Sequence, residues 1–265
     1  MKEVGLFCVH GFMEDGQTTF RYFAEFLRNN GIYDYYLTNL QGHGLGENIN
    51  HFNYRKCIEQ VEKEFIEYKE NYKKVFIIGF SMGGVIASYL ASKFGADKLV
   101  LISPAFKYGQ GSQVLKDLIH MVSNEDFPKL GELLKADHEG RVNKVQNFIN
   151  NEYKDKGSSY VNFVDRISKV TAGPFINFTR LVSRLKKKID LDIPVRIYHA
   201  EFDELVPLQS SVFIFKKIHS NDKRLVLLSG VGHRILSSNY KSLIFEEIYD
   251  FLYGDIEKES LVYVA

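Results

Sequence analysis

The sequence predicts an α/β fold: one mostly parallel central sheet with helices on both faces, interrupted by a helical insertion. Three observations predict it. Short apolar runs alternate with amphipathic patterns of helical spacing, as expected of strands buried on both faces and joined by crossover helices. The alternation lapses between residues 105 and 190, where only helical patterns occur, and that gap exceeds any ordinary loop. The length, 265 residues, suits one such domain with an insertion.

Residues 4–9 form an unbroken apolar run before His10 and read as the first strand. A helix over 17–30 follows, with Phe20, Phe23, Ala24 and Leu27 on one side, Arg21, Glu25 and Arg28 on the other, and Gly31 as its stop. A second strand near 34–38 runs into the loop Gln41-Gly42-His43-Gly44. The next helix turns Ile58, Val61, Phe65 and Tyr68 inward. Residues 75–79 read as a fully apolar strand, 82–94 as a helix and 98–102 as a strand. Inside the gap, Val114, Leu115, Leu118 and Val122 recur at helical spacing, as do Val142, Val145, Phe148 and Ile149, then Phe175, Phe178, Leu181, Val182 and Leu185. The alternation resumes with a strand at 195–200, a helix at 208–219, a strand at 225–229 and a last helix at 238–253. The expected organisation is a core domain of 1–104 and 191–265, with 105–190 as a helical cap over the carboxyl ends of the strands, the edge at which open α/β sheets bind ligands.

Lysine plus arginine number 34 against 33 aspartate plus glutamate, a balance that gives no general field for nucleic acid or anionic lipid. The one dense basic run, Lys186-Lys187-Lys188, ends an amphipathic pattern and reads as a solvated helix terminus. Cys8 and Cys57 lack metal-ligand spacing and suit free thiols in a reducing compartment. No apolar run approaches membrane-spanning length, and the N-terminus lacks a secretory cleavage pattern, so a cytoplasmic protein without stable membrane insertion is expected. Asn177-Phe178-Thr179 matches a glycosylation acceptor, without meaning in the absence of export. No zinc, Walker or dinucleotide pattern appears, and no cofactor is expected.

Gly79-Phe80-Ser81-Met82-Gly83 places a serine at a strand-to-helix corner, with glycines relieving the collision such a corner creates. A serine hydroxyl needs a base within hydrogen-bond reach, itself oriented by an acid. Asp203, just past one late strand, and His233, in Gly230-Val231-Gly232-His233 past the next, supply them in the order Ser, Asp, His; Glu201 and Glu204 compete for the acid role. Carbonyl attack also requires two oxyanion donors worth about 3 kcal/mol each in barrier. The Met82 N–H beside the nucleophile is one. The Phe12 N–H, in the loop His10-Gly11-Phe12-Met13 after the first strand, is the other, with His10 bracing that loop.

Together these motifs resemble the α/β-hydrolase superfamily, and within it the bacterial carboxylesterases and monoacylglycerol lipases: an HGF oxyanion loop, a GHG loop, a G-x-S-x-G-G elbow, a D-x-x-V acid loop and a GH base loop, in order from residue 4 to about 253. The resemblance implies the α/β-hydrolase fold, Ser81 as nucleophile, His233 as base, Asp203 as its orienter, and Phe12 and Met82 as oxyanion donors. Gly46 stands where a serine usually follows the GHG loop, and Ala200 where the acid loop often opens with glycine; both bear on the pocket mouth. The resemblance also implies a lid, for which the insertion offers Phe106, Tyr108, Met121, Phe127, Phe148, Phe163, Phe175 and Phe178.

The expected activity is hydrolysis of small to medium carboxylic esters, monoacylglycerols among them, through an acyl-enzyme. A thioesterase, amidase or carbon–carbon hydrolase would use the same triad, and a catalytically silent ligand-binding homologue would keep the fold. The absence of a basic pocket motif weakly disfavours coenzyme A thioesters.

Overall fold

The computed structural model describes residues 1–44, 46–107, 172–203 and 205–261. Its centre is a six-stranded sheet in the order β2-β1-β3-β4-β5-β6, every neighbouring pair parallel. The strands are β1 (Lys2–Val9), β2 (Tyr35–Leu37), β3 (Tyr72–Phe80), β4 (Lys98–Ile102), β5 (Val195–Ala200) and β6 (Lys223–Leu228). The helices are α1 (Gly16–Asn29), α2 (Tyr54–Lys69), α3 (Met82–Phe94), α4 (Ala172–Leu185), α5 (Leu208–Phe215) and α6 (Lys241–Leu261).

Strand side chains alternate between two buried layers. On one face Phe7, Val9, Val75, Ile77, Leu99, Leu101, Val195 and Ile197 meet α2, α3, α4 and α5. On the other, Leu6, Cys8, Phe76, Ile78, Val100, Ile102 and Tyr198 meet α1 and α6. Burial on both faces is why these strands read as continuous apolar runs. All four residues assigned to the inner face of α1 are buried, and Asp15 caps the helix by accepting the Thr18 N–H at 2.8 Å. Cys8 and Cys57 are buried free thiols.

Chain order reverses between β1 and β3, which lie side by side but leave in opposite directions across the sheet. A crevice opens at the carboxyl edge where such a reversal occurs. The loop after β1 and the corner after β3 both sit there.

The expected helix at 208–219 is shorter than its pattern. α5 stops at Phe215 because the following backbone pairs with the strand-like Leu191: the His219 N–H donates to the Leu191 carbonyl at 2.7 Å, and the Leu191 N–H to the Lys217 carbonyl at 3.3 Å. Within 105–190, Phe106 is a core residue packed against Phe213 with ring centroids 5.6 Å apart, and α4 sends Leu181, Val182 and Leu185 into the core layer. The helical patterns at 114–122 and 142–149, and Tyr108, Met121, Phe127, Phe148 and Phe163, lie outside the described residues, as does Glu204.

Candidate active site

The sharp turn from β3 into α3 brings helix and strands closer than side chains would allow. A Cβ on Gly79 would lie 2.4 Å from the Gly83 carbonyl oxygen, one on Gly83 2.1 Å from the Val9 oxygen, and one on Gly84 2.8 Å from Pro104 Cβ. The glycines of the sequence pattern are therefore steric requirements of the corner. Ser81 occupies its apex at φ 55°, ψ −118°, a sparsely populated conformation for a residue with a Cβ. Three backbone hydrogen bonds hold it: its N–H donates to the Ile102 carbonyl at 2.9 Å, and its own carbonyl accepts from Gly84 and Ala105 at 3.0 Å each.

Asp203 and His233 come together from the ends of β5 and β6. The His233 Nδ1–H donates to the Asp203 carboxylate, at 2.9 Å from one oxygen and 2.8 Å from the other. That bond leaves Nε2 as the basic nitrogen. Both side chains are buried, and the His233 ring lies 4.9 Å from that of Phe80, the residue preceding Ser81. The Asp203 carboxylate also accepts the N–H groups of Leu205 at 3.0 Å and Val206 at 2.8 Å. Burial alone would push the Asp203 carboxyl up. The His233 charge and hydrogen bond outweigh it, helped by Ser103 and Val206, and the net result lies below the ordinary carboxylate value. Glu201, by contrast, is exposed and accepts the Ser229 hydroxyl.

The oxyanion candidates flank Ser81. A Cβ on Gly11 would sit 3.2 Å from Ser81 Cβ, so the loop after β1 abuts the corner directly. Among the described residues, neither the Phe12 nor the Met82 N–H has a hydrogen-bond partner. Two unsatisfied donors beside a half-buried serine suit an anion better than a resting backbone. His10 braces the loop: its Nδ1 donates to the Gly11 carbonyl at 2.8 Å and its Nε2 accepts the Leu40 N–H at 3.0 Å. Burial, with His43 nearby, lowers its pKa to about 3, so the ring is neutral.

The Phe12 ring packs against His43, Phe52, Phe175 and Phe178 at 5.2–5.8 Å between centroids, which brings α4 against the oxyanion loop. Asn177 on that helix accepts the Tyr54 N–H at 3.2 Å and donates to the Gly173 carbonyl at 3.0 Å, so the glycosylation-like asparagine is a structural tie.

Two further residues complete the surroundings. Ser103, at φ 41° just past β4, is buried beside Asp203, close enough to lower its pKa although no hydrogen bond of ordinary geometry joins them. His199 is buried in β5, its Nδ1 within 2.9 Å of the Ser211 hydroxyl, and burial lowers its pKa. Ser103 follows a strand directly, a position that could have flagged it; His199 reads as an ordinary strand residue.

The parallel sheet, the strained serine at the corner and the carboxylate–imidazole pair define an α/β hydrolase. Residues 3–239 match the model of the Hydrolase_4 family, described as serine aminopeptidase, S33, and the chain belongs to that family of serine hydrolases. A thermostable monoacylglycerol lipase of Bacillus sp. (strain H-257) is 22% identical over 250 residues, covering 94% of this chain and 90% of that protein. Among solved structures, the Paleococcus ferrophilus monoacylglycerol lipase superposes with a TM-score of 0.60 at 17% identity, covering 96% of both chains. A structure described with the metagenome-derived lipolytic enzymes LipS and LipT gives 0.65 at 18%, covering 96% of this chain and 94% of the other. A variant of the meta-cleavage product hydrolase CumD gives 0.60 at 15%, covering 96% and 92%.

Proposed function

We propose that the protein hydrolyses uncharged carboxylic esters of small to medium acyl or aryl groups, monoacylglycerols among them, through an acyl-enzyme on Ser81. The observation that carries the reading is the Asp203–His233 hydrogen bond, formed beside a serine held in strained geometry between two free backbone donors. In this mechanism His233 Nε2 takes the Ser81 proton as Oγ attacks the carbonyl, and the oxyanion is received by the Phe12 and Met82 N–H groups. His233 then returns the proton to the leaving alcohol. Water, deprotonated by the same imidazole, releases the acid and restores Ser81. Asp203 fixes the tautomer and stabilises the imidazolium that forms.

The names of the lipase and esterase relatives support an ester substrate, and the apolar surface of Phe12, Phe52, Phe175 and Phe178 beside the oxyanion loop suits an acyl chain. In this reading 105–190 is the cap and the remainder the catalytic domain. Among the described residues no helix is long and apolar enough to cross a membrane; buried free thiols suit a cytoplasmic setting. The resemblance to CumD and the family's aminopeptidase description keep carbon–carbon and amide cleavage as the second reading.

A fluorophosphonate probe tests the mechanism, with covalent adduct expected on Ser81 and none after Ser81→Ala. A folded protein that stays unlabelled would favour a ligand-binding homologue. Chain-length series of nitrophenyl esters and monoacylglycerols, set beside nitroanilides, then separate esterase from amidase.

A further inference from the structure

A second concave site lies on the far side of α4 from Phe12. It is a groove of about 930 Å³ between the start of α2 and the end of α4, and its charged lining is entirely basic: Arg55, Arg180, Arg184, Lys187 and Lys188, with Tyr54 beside them. Some cations elsewhere on this charge-balanced protein are paired with carboxylates, as in Lys93–Glu62 and Arg196–Asp222. None of these five makes an ion pair among the described residues. Glu59, one helical turn beyond Arg55, is a carboxylate whose charge reaches that arginine.

We propose that this groove binds a small soluble molecule bearing a phosphate or pyrophosphate group. Arg180 and Arg184 stand one turn apart on α4, a like-charge spacing that costs about 0.2–0.5 kcal/mol in an isolated helix and is left uncompensated here. Arg55 faces them from α2, its Nε donating to the Tyr54 hydroxyl at 3.0 Å, a bond that restrains the guanidinium. Converging guanidinium forks match the oxygens of a phosphate bidentately. The same field reaches Tyr54, whose phenol is lowered first by the hydrogen bond from Arg55; burial opposes this as the next influence, and the charges of Arg55, Arg184 and Arg180 follow, for a net lowering.

The C-terminal dipole of α4 accounts for Lys187 and Lys188 but not for Arg180 in its middle or Arg55 on another helix. The first backbone N–H groups of α2 are already taken by Asn53 and Asn177, so side chains would do the binding. Concavity favours a small ligand over a flat bilayer. A single groove on a protein of net charge +1 is a poor nucleic-acid track.

Calorimetric titration with inorganic pyrophosphate tests the site directly, with no reference to catalysis. Saturable 1:1 binding is expected, weakening as salt rises. It should be lost or weakened at least ~10-fold in Arg180→Gln/Arg184→Gln and unchanged in Lys216→Gln, an exposed cation elsewhere. An unaltered thermal midpoint would establish that the double variant is folded. Absence of saturable binding, or equal binding by the double variant, would overturn the proposal. So would co-sedimentation with phosphatidylglycerol vesicles that depends on these arginines while pyrophosphate fails to bind, since the surface would then serve a lipid headgroup.

Discussion

At Ser81 the backbone stores strain that only its surroundings can hold, and the groups that hold it are distinct from those we propose for the chemistry. Ile102, Gly84 and Ala105 fix the main chain through hydrogen bonds, whereas the hydroxyl makes no hydrogen bond among the described residues. Ser81→Ala should therefore lower ester turnover by at least ~10⁴-fold while leaving the urea midpoint within experimental scatter; substantial residual turnover would mean another nucleophile. Asp203→Asn retains the acceptor for Leu205 and Val206 but presents an amide to His233, favouring the wrong tautomer. Its kcat should fall about 10⁴-fold with KM little changed. Glu201→Gln, which alters only an exposed contact with Ser229, should stay within about twofold of wild type, and a larger loss there than at Asp203 would reverse the assignment of the acid. The candidate serine and base were legible because each follows a strand in a glycine-marked loop, and the candidate acid because it follows a strand in the expected chain order. Ser103 and His199 were not, since a buried polar residue at a strand end declares itself only when its neighbours are known.

The element that concentrates constraint is the corner between β3 and α3. Gly83 faces the Val9 and His10 carbonyls, and both are backbone atoms that cannot swing aside. Gly83→Ala should cost at least ~3 kcal/mol by urea unfolding, at the upper end of overpacking, because a fixed ladder must move. Gly230→Ala makes the contrast: nothing lies near its missing Cβ, and only its φ of 70° resists, so a loss of roughly 1 kcal/mol is expected. Similar losses at the two positions would argue against close helix–sheet contact as the reason for the elbow glycines. Helix and strand identities could be read from periodicity alone, but α5 could not be bounded that way. Its pattern continues to His219, and the pairing with Leu191 that interrupts it is tertiary. The basic groove escaped the sequence for the same reason, since Arg55 and Arg180 are joined by folding rather than by any linear motif.

Across the whole molecule, burial of neutral imidazoles makes stability a function of acidity. His10 and His43 titrate at about 3 and about 4, well below their ordinary 6.5, chiefly because burial disfavours the charged ring. The unfolded chain takes up those protons below about pH 6.5 and the native state does not until far lower. Their contribution is therefore complete above pH 6.5 and is lost as pH falls toward 4 and then 3, at up to ~1.4 kcal/mol per unit for each ring. Denaturant midpoints should decline steadily from pH 7 to pH 4.5, with a shallower slope in His43→Gln; a flat profile would contradict neutral burial of these rings. The two cysteines carry burial in a different direction. Desolvation pushes both thiols up, Cys57 to about 12, so neither offers thiolate at neutral pH. With sulfur silenced everywhere else, a Ser81→Cys protein would present a maleimide dye with one addressable position, placing a fluorophore at the turn from β3 into α3 without first stripping the native cysteines.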